Sequence, residues 1–382
     1  MRAGRELQME IYVVKAGDTV DRIAGEYSVS AESVIWNNQL VYPYPLAVGQ
    51  ALLIGEFDET ENLRLRDAGG YAYTYISRWV LEQTLPFLNR LFVFSYGFTT
   101  EGDIIDPPQD DIWMIELSRE QGTAPILTLT PFGQDGRFNN NLIHEVVTRS
   151  DAAERLLNNL AALMQEKGYA GIDIDFEYIL AVDRDSFTAF VQRAVAIMHP
   201  LGFTVSVALA PKTSADQKGL LYEGKDYGAI GSAADEVLLM TYEWGYRYGP
   251  PMAVAPLNMV RRVVDYAITE INPSKINIGI ANYGYDWPLP FVRGETEART
   301  IGNVEAVQIA IRYGADIQFD ELAQSPFFYY TDEEGTEHVV WYEDVRSLQG
   351  KYDLLAEYGL KGIGVWQIMR WYRGMWLLFT KR

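Results

Sequence analysis

The sequence predicts an α/β chain, a (β/α)8 TIM barrel preceded by a small βααβ unit. Three observations carry this reading. Eight apolar, strand-length runs alternate with helix-length segments between residues 70 and 368. Crossovers of that length force parallel pairing, and eight parallel strands is the number that closes a barrel. Residues 12–54 carry a separate strand-helix-helix-strand pattern of their own. An open dinucleotide-binding sheet is disfavoured, because no G-x-G-x-x-G turn follows the first long run.

Length and composition agree with one large and one small globular domain: 382 residues, 48% hydrophobic, 22% charged and 13% aromatic. The net charge of −20 and the pI of about 4.6 repel phosphate backbones and anionic lipid, so no nucleic-acid or membrane partner is expected. With no cysteine, disulfides, thiolate catalysis and cysteine-bound zinc are excluded. The three histidines (His144, His199, His338) are scattered, so no metal site and no cofactor are expected. No G-x-S-x-G elbow announces a serine triad. The N-terminus lacks the apolar stretch of a secretory signal and reads as a disordered leader of eight residues before Met9. No apolar run is long enough to span a bilayer.

In the small unit, YVV (12–14) is a strand and KAGDT (15–19) a turn. DRIAGEYS (21–28) and SAESVIWNN (30–38) are helices, the second with Ser30 as N-cap. A proline-rich loop, VYPYPLAVGQ (41–50), leads to a closing strand, ALLI (51–54). The Y-x-V-x-x-G-D-T opening and P-L-x-V-G-Q ending resemble a LysM domain, assigned to residues 10–55. That resemblance implies binding of N-acetylglucosamine (GlcNAc) glycans such as peptidoglycan or chitin, with Gly17, Asp18, Thr19 and the segment Val41–Pro45 lining the groove. Read locally, Gly17 and Asp18 make only a turn and a helix cap.

A charged segment (55–70) links this unit to the barrel domain, residues 66–382. The eight strands are expected at 70–76, 90–98, 124–132, 170–178, 203–211, 236–244, 276–287 and 362–368, with amphipathic helices such as 151–168 and 185–200 between them. The seventh crossover is too long for one helix. Residues 288–345 read as an α+β insertion with a helix near 302–313 and a hairpin pairing 326–332 with 336–344 around Gly335.

One strand is chemically unusual. In GIDIDFEYI (171–179), Asp173, Asp175 and Glu177 alternate with Ile172, Ile174 and Phe176. On an extended strand the acids share one face, spaced roughly 6.5–7 Å apart. As the fourth strand of a closed barrel, that face points inward and Glu177 reaches the C-terminal rim, where barrels do their chemistry. Three buried carboxylates cannot all ionise, so a proton is shared and at least one pKa rises, which suits a general acid at neutral pH. A solvated edge strand and an acid cluster for magnesium, calcium or manganese are the alternatives.

The same stretch resembles the D-G-x-D-x-D-x-E signature of glycoside hydrolase family 18, with Ala170 in place of its first Asp and Phe176 where Trp is usual. Met240-Thr-Tyr-Glu243 resembles the family's M-x-Y-D with Glu for Asp, and Trp366 matches its sugar-floor tryptophan. MTYEWGY (240–246) and NYGYDW (282–287) are similar to the branch found in bacterial spore-germination glycosidases. The resemblance implies a retaining, substrate-assisted glycosidase. Glu177 would be the acid and then the base, Asp175 would orient the substrate's 2-acetamido group, Asp173 would hold Asp175, and Tyr242 would donate to the acetamido oxygen. Substrate contacts would come from Trp366, Met240, Glu243, Trp244, Tyr283 and Trp287, with Tyr246 and Trp371 as further stacking candidates. The implied substrate is spore-cortex peptidoglycan or its fragments. Alternatives are a chitinase or endo-β-N-acetylglucosaminidase, or a silent glycan-binding barrel. A monomer associated with the bacterial spore or cell wall is expected.

Overall fold

A computed structural model describes residues 9–57, 63–64 and 66–380. The first eight residues, read as a leader, lie outside them, as do residues 58–62 and 65 of the charged linker. In the N-terminal unit, β1 (Glu10–Val13) and β2 (Ala51–Ile54) pair antiparallel, with the helices Val20–Tyr27 and Ala31–Asn37 between them. Thr19 and Ser30 cap these helices by accepting the amides of Arg22 and Ser33, satisfying donors that the first helical turn leaves free. Ile23, Val34 and Leu52 form the fully buried centre of this unit.

The barrel begins with β3 (Asp67–Tyr73) and β4 (Arg90–Phe98). The two-residue β5 (Ile104–Ile105) then folds back antiparallel on the end of β4. Next come β6 (Ala124–Leu129), β7 (Gly171–Ile174), β8 (Thr204–Leu209), β9 (Glu236–Leu239) and β10 (Ile276–Ala281). The chain then makes a separate antiparallel sheet from β11 (Gly284–Pro288), β12 (Arg299–Ile301), β13 (Gln318–Asp320), β14 (Ser325–Thr331) and β15 (Glu337–Trp341). The helix Asn303–Tyr313 packs on it through Ala306, Ile309 and Ala310, against Phe328 and Val340. Finally β16 (Gly362–Trp366) pairs in parallel with both β10 and β3, and β3 pairs with β4, closing eight parallel strands into a ring.

The strands expected at 124–132, 170–178, 203–211, 236–244 and 362–368 pair only over 124–129, 171–174, 204–209, 236–239 and 362–366, and two others need more than trimming. The first runs 67–73 rather than 70–76, because Asp67 at its start is held by the guanidinium of Arg90 on β4. The run 276–287 is two strands belonging to two sheets. Asn282 interrupts it, its side-chain amide donating to the carbonyls of Gln367 (3.1 Å) and Arg370 (2.8 Å) beyond β16. That tie turns the chain off the barrel, and residues 284–288 join the insertion sheet instead.

The N-terminal unit is docked on the insertion and the barrel's last helix. Ala47 is buried with Ile301, Ile309 and Ile317, and the Ile317 amide donates to the Val48 carbonyl at 2.8 Å. Gly49 has a φ of +82°, and a Cβ there would lie 1.8 Å from the Ile317 carbonyl oxygen. Only glycine fits both the left-handed backbone and the contact. Gln39 adds a two-way clasp, donating to the Trp371 carbonyl (3.2 Å) and accepting the Arg373 amide (2.7 Å).

Candidate active site

Two hollows of similar size open at opposite ends of the barrel. The one at the N-terminal end, about 740 Å³, includes Arg119, Gly122, Pro125 and Gly168 in its lining and no carboxylate. The one at the C-terminal end, about 770 Å³, holds Asp175, Glu177, Tyr242 and Trp366. Chemistry separates them, and it falls at the end where a parallel barrel presents its strand termini.

The acid row is built by one strand and its extension. The ladder of β7 stops at Ile174, but the inside-outside alternation continues past it. Ile172, Ile174 and Phe176 are fully buried, and Phe176 packs on Phe187 and Phe190 of the helix Arg184–Met198. This apolar anchoring outside obliges the acids to face inside. Asp173 is deepest, accepting hydrogen bonds from the Ser206 hydroxyl on β8 (2.6 Å) and the Tyr71 hydroxyl on β3 (3.0 Å). Burial pushes its carboxyl up to about 6 against those two hydrogen bonds. Asp175 lies one step outward and is 8% exposed. Its Oδ1 is buried with no hydrogen-bond partner among the described residues. Burial, then the charges of Glu177 and Asp173, raise its pKa well above the usual carboxylate range, opposed by the Lys225 cation. Glu177 comes last, at the wall of the cleft.

Tyr242 follows β9 and faces the acids. Its ring lies against Gly279, where a Cβ would come within 2.5 Å of a ring carbon. Burial and the surrounding carboxylates raise its pKa well above 10, so the hydroxyl stays a donor. Trp366, at the end of β16, is flanked by the rings of Tyr71, Tyr73 and Phe94, with centroids 5.8, 5.9 and 4.9 Å away at steep angles. Those neighbours fix the indole edge-on and keep it at the cleft lining.

Met240, Glu243 and Trp244 also line this cleft, as does the half-exposed Tyr246. Tyr283 does not. It is 4% exposed and donates to the Glu243 carboxylate, as does Tyr285 at 2.9 Å, so its role is to hold Glu243. Trp287 is corrected outright: its side chain is fully buried, with its indole N–H donated to the Gly249 carbonyl at 2.9 Å. It belongs to the core of the wall and cannot stack on a sugar. Trp371 is likewise buried, against Phe87 and Trp79. In the N-terminal unit the side chains of the turn are committed locally. Asp18 accepts the Tyr12 hydroxyl (2.6 Å) and the Lys15 amide (2.7 Å), Thr19 caps a helix, and Gly17 supplies a φ of +83°. The exposed large apolar side chains of this unit are Val13, Trp36, Val41, Tyr42 and Val48, with Tyr42 the most exposed.

Sequence reasoning missed Tyr71, Ser206 and Lys225. Tyr71 and Ser206 stand 102 and 33 residues from Asp173, on other strands of the ring, so no local spacing reveals them.

Comparison with known proteins places both parts of the chain in known families. Residues 133–370 match glycosyl hydrolases family 18, and residues 12–55 match the LysM domain. The cortical fragment-lytic enzyme of Bacillus subtilis (strain 168) is 34% identical, with 97% of each chain covered. The putative sporulation-specific glycosylase YdhD of the same organism is 33% identical over 97% of this chain and 87% of its own. The crystal structure of the Bacillus megaterium QM B1551 spore cortex-lytic enzyme SleL superposes with a TM-score of 0.90 at 32% identity, covering 98% of both chains.

Proposed function

Because the chain belongs to glycosyl hydrolases family 18, we propose that it is a retaining glycosidase opening N-acetylglucosaminyl bonds in spore-cortex peptidoglycan or its fragments. The observation that carries the mechanism is the buried Oδ1 of Asp175, beside Glu177 and without a hydrogen-bond partner among the described residues. A buried acceptor left open is costly, so it is built to receive a donor. The N–H of a 2-acetamido group on a sugar seated over Trp366 is such a donor.

In this reading Glu177 protonates the glycosidic oxygen as the bond to C1 breaks. The acetamido carbonyl oxygen attacks C1 and forms an oxazolinium ion, the substrate-assisted route. Asp175 accepts from the acetamido N–H and offsets the positive charge, while Tyr242 donates to the acetamido oxygen. Asp173, tied to Tyr71 and Ser206, holds the proton and orientation of Asp175. Glu177 then takes a proton from water, which adds to C1 and restores the original configuration. The LysM unit retains the enzyme on the insoluble glycan and acts through effective concentration rather than chemistry. The relatives' cortex-lytic names support the spore as its place of action.

The test is mass spectrometry of cortex fragments and chitin oligosaccharides digested in parallel by wild type and Glu177→Gln. Cortex products ending in N-acetylglucosamine, lowered about 10²–10⁴-fold in the variant and unaffected by chelator, are expected. Cleavage of chitin oligosaccharides alone would make it a chitinase. Glycan binding without cleavage of either would reduce the barrel to a lectin.

A further inference from the structure

The loop after β8 contains two lysines that ordinary packing does not explain. Lys212 is 1% exposed and Lys225 is not exposed at all. Fully buried lysines are rare, because removing an ammonium from water is costly unless a charge or several acceptors meet it. The Lys212 ammonium donates to the carbonyl of Lys225 at 3.0 Å, and the Lys225 ammonium donates to the carbonyl of Glu177 at 2.9 Å. The two cations thus form a chain that ends on the backbone of the catalytic acid. The contact is enforced by packing: at Gly224 a Cβ would fall 2.3 Å from the Ile179 carbonyl oxygen, so the loop lies directly against the strand extension carrying Glu177.

Among the described residues the one hydrogen bond from the Lys225 ammonium goes to that carbonyl. Capping a carbonyl left open by the end of β7 needs only a neutral donor. A lysine brings a full charge as well, and the charges that face it are carboxylates. Glu177 and Asp175 act on it from the strand extension, and Lys212 from its own loop. Facing the acids from the other sides are the neutral hydroxyls of Tyr73, Tyr178 and Tyr242, and the carboxyl of Glu243. Lys225 is therefore the cation placed against Asp175 and Glu177, whose other charged and polar neighbours named here are negative or neutral, while the Arg90 cation acts on Asp173 deeper in the row.

We propose that Lys225 is a positioning residue that fixes the backbone of Glu177 and supplies the buried positive charge against which Glu177 gives up and regains its proton. This rests on Glu177 being the acid and base of the reaction. Releasing the proton to the glycosidic oxygen leaves a second carboxylate beside Asp175, at the moment Asp175 must itself be negative to support the oxazolinium ion. A fixed cation behind both makes that state accessible without reorganising water. Burial lowers the Lys225 ammonium to about 8, while Glu177 and Asp175 hold it up, so it carries its charge at neutral pH.

The experiment is the pH dependence of kcat/KM on cortex fragments for wild type, Lys225→Gln and Lys225→Met, with folding checked by melting. Gln keeps a donor for the carbonyl and removes only the charge. Without the cation the carboxylates hold their proton more tightly. The basic limb should move up by about one pH unit in both variants, with kcat lowered about tenfold. A folded variant whose rate falls while the limb stays in place would reduce Lys225 to a structural hydrogen bond and overturn the proposal. Should neither variant fold, coupling is read from the other side in protein labelled with 15N-lysine. Glu177→Gln should lower the titration midpoint of the Lys225 ammonium by about one unit, because the charge that holds it up is gone. An unmoved midpoint overturns the proposal. This titration needs no turnover, so failure of the hydrolase reading and failure of the Lys225 role give different results.

Discussion

Asp18 in the N-terminal unit and Asp175 at the barrel rim are both covered aspartates in contact with structured backbone, yet they are opposite devices. In Asp18, Oδ2 accepts both the Tyr12 hydroxyl and the Lys15 amide, Oδ1 pairs with the Arg22 guanidinium at 3.4 Å, and the pKa is lowered, chiefly by the Tyr12 hydrogen bond. Asp175 has an oxygen with no partner among the described residues, and its pKa is raised, chiefly by burial. The first carboxylate is spent on holding a turn. The second is held ready for a group that arrives from outside. The deficit at Asp175 counts because it lies at the cleft beside Glu177; buried oxygens of Thr128, Tyr342 and Glu343 also have no hydrogen-bond partner among the described residues, but they lie outside the cleft lining.

The strongest way to break this contrast is Asp175→Asn. Losing the carboxylate removes the charge that supports the oxazolinium ion, and kcat should fall about 10²–10³-fold, measured on soluble cortex fragments. A loss below tenfold would mean that the open oxygen is an accident of packing. Next in size is Gly279→Ala. The added methyl would lie 2.5 Å from a Tyr242 ring carbon and 2.9 Å from the Leu239 carbonyl oxygen, so the ring must shift into the cleft. Misplacing its hydroxyl by an ångström should lower kcat about 10–10²-fold. Unchanged kinetics would remove Tyr242 from the mechanism.

The contrast also explains what the sequence could and could not reveal. The acid row was legible because an alternation of period two survives any error in strand ends, and it did so here although the ladder stops at Ile174. The fold class was legible for a similar reason: crossover lengths count strands even when their edges are misplaced. Trp287 was misread because an aromatic in a sugar cleft and one in a core look alike in sequence, and only its fully buried position decides. Asn282 carries no turn signature, since it works by reaching the carbonyls of residues 367 and 370, and so the seventh strand was drawn too long. The site's supports, Tyr71, Ser206 and Lys225, come from distant segments of the ring and were invisible one strand at a time.

A smaller effect tests whether the acid row costs the fold stability, as unsatisfied or crowded carboxylates should. Asp173 has its carboxyl pushed up to about 6 by burial. Between about pH 4 and pH 6 the folded protein therefore holds a proton that the unfolded chain has released, so stability falls as pH rises through that window. Asp173→Asn does not titrate. It should gain on wild type across the same window and level off above pH 6, ahead by about 2 kcal/mol in urea unfolding, while losing activity. A variant less stable than wild type at pH 7 would show that the bonds from Tyr71 and Ser206 outweigh the burial.

The last and smallest effect lies at the other aspartate and must have the opposite sign. Asp18 has a folded pKa below its unfolded value near 3.9, so its contribution is complete above about pH 4 and is lost only as pH falls through the lower folded value. Protonation would take away the acceptor of the Lys15 amide and weaken the bond from Tyr12, loosening residues 12–19 while the barrel is unaffected. Hydrogen exchange of the Lys15 amide reads this directly, since its bond to Asp18 is 2.7 Å long. Protection should hold from pH 7 to pH 4 and fall below that in wild type, and should be reduced and flat in Asp18→Asn. A wild-type amide that instead loses protection between pH 4 and pH 6, in step with the Asp173 effect, would mean that both aspartates answer to burial. The distinction between a spent carboxylate and a ready one would then fail at the site where it is easiest to see.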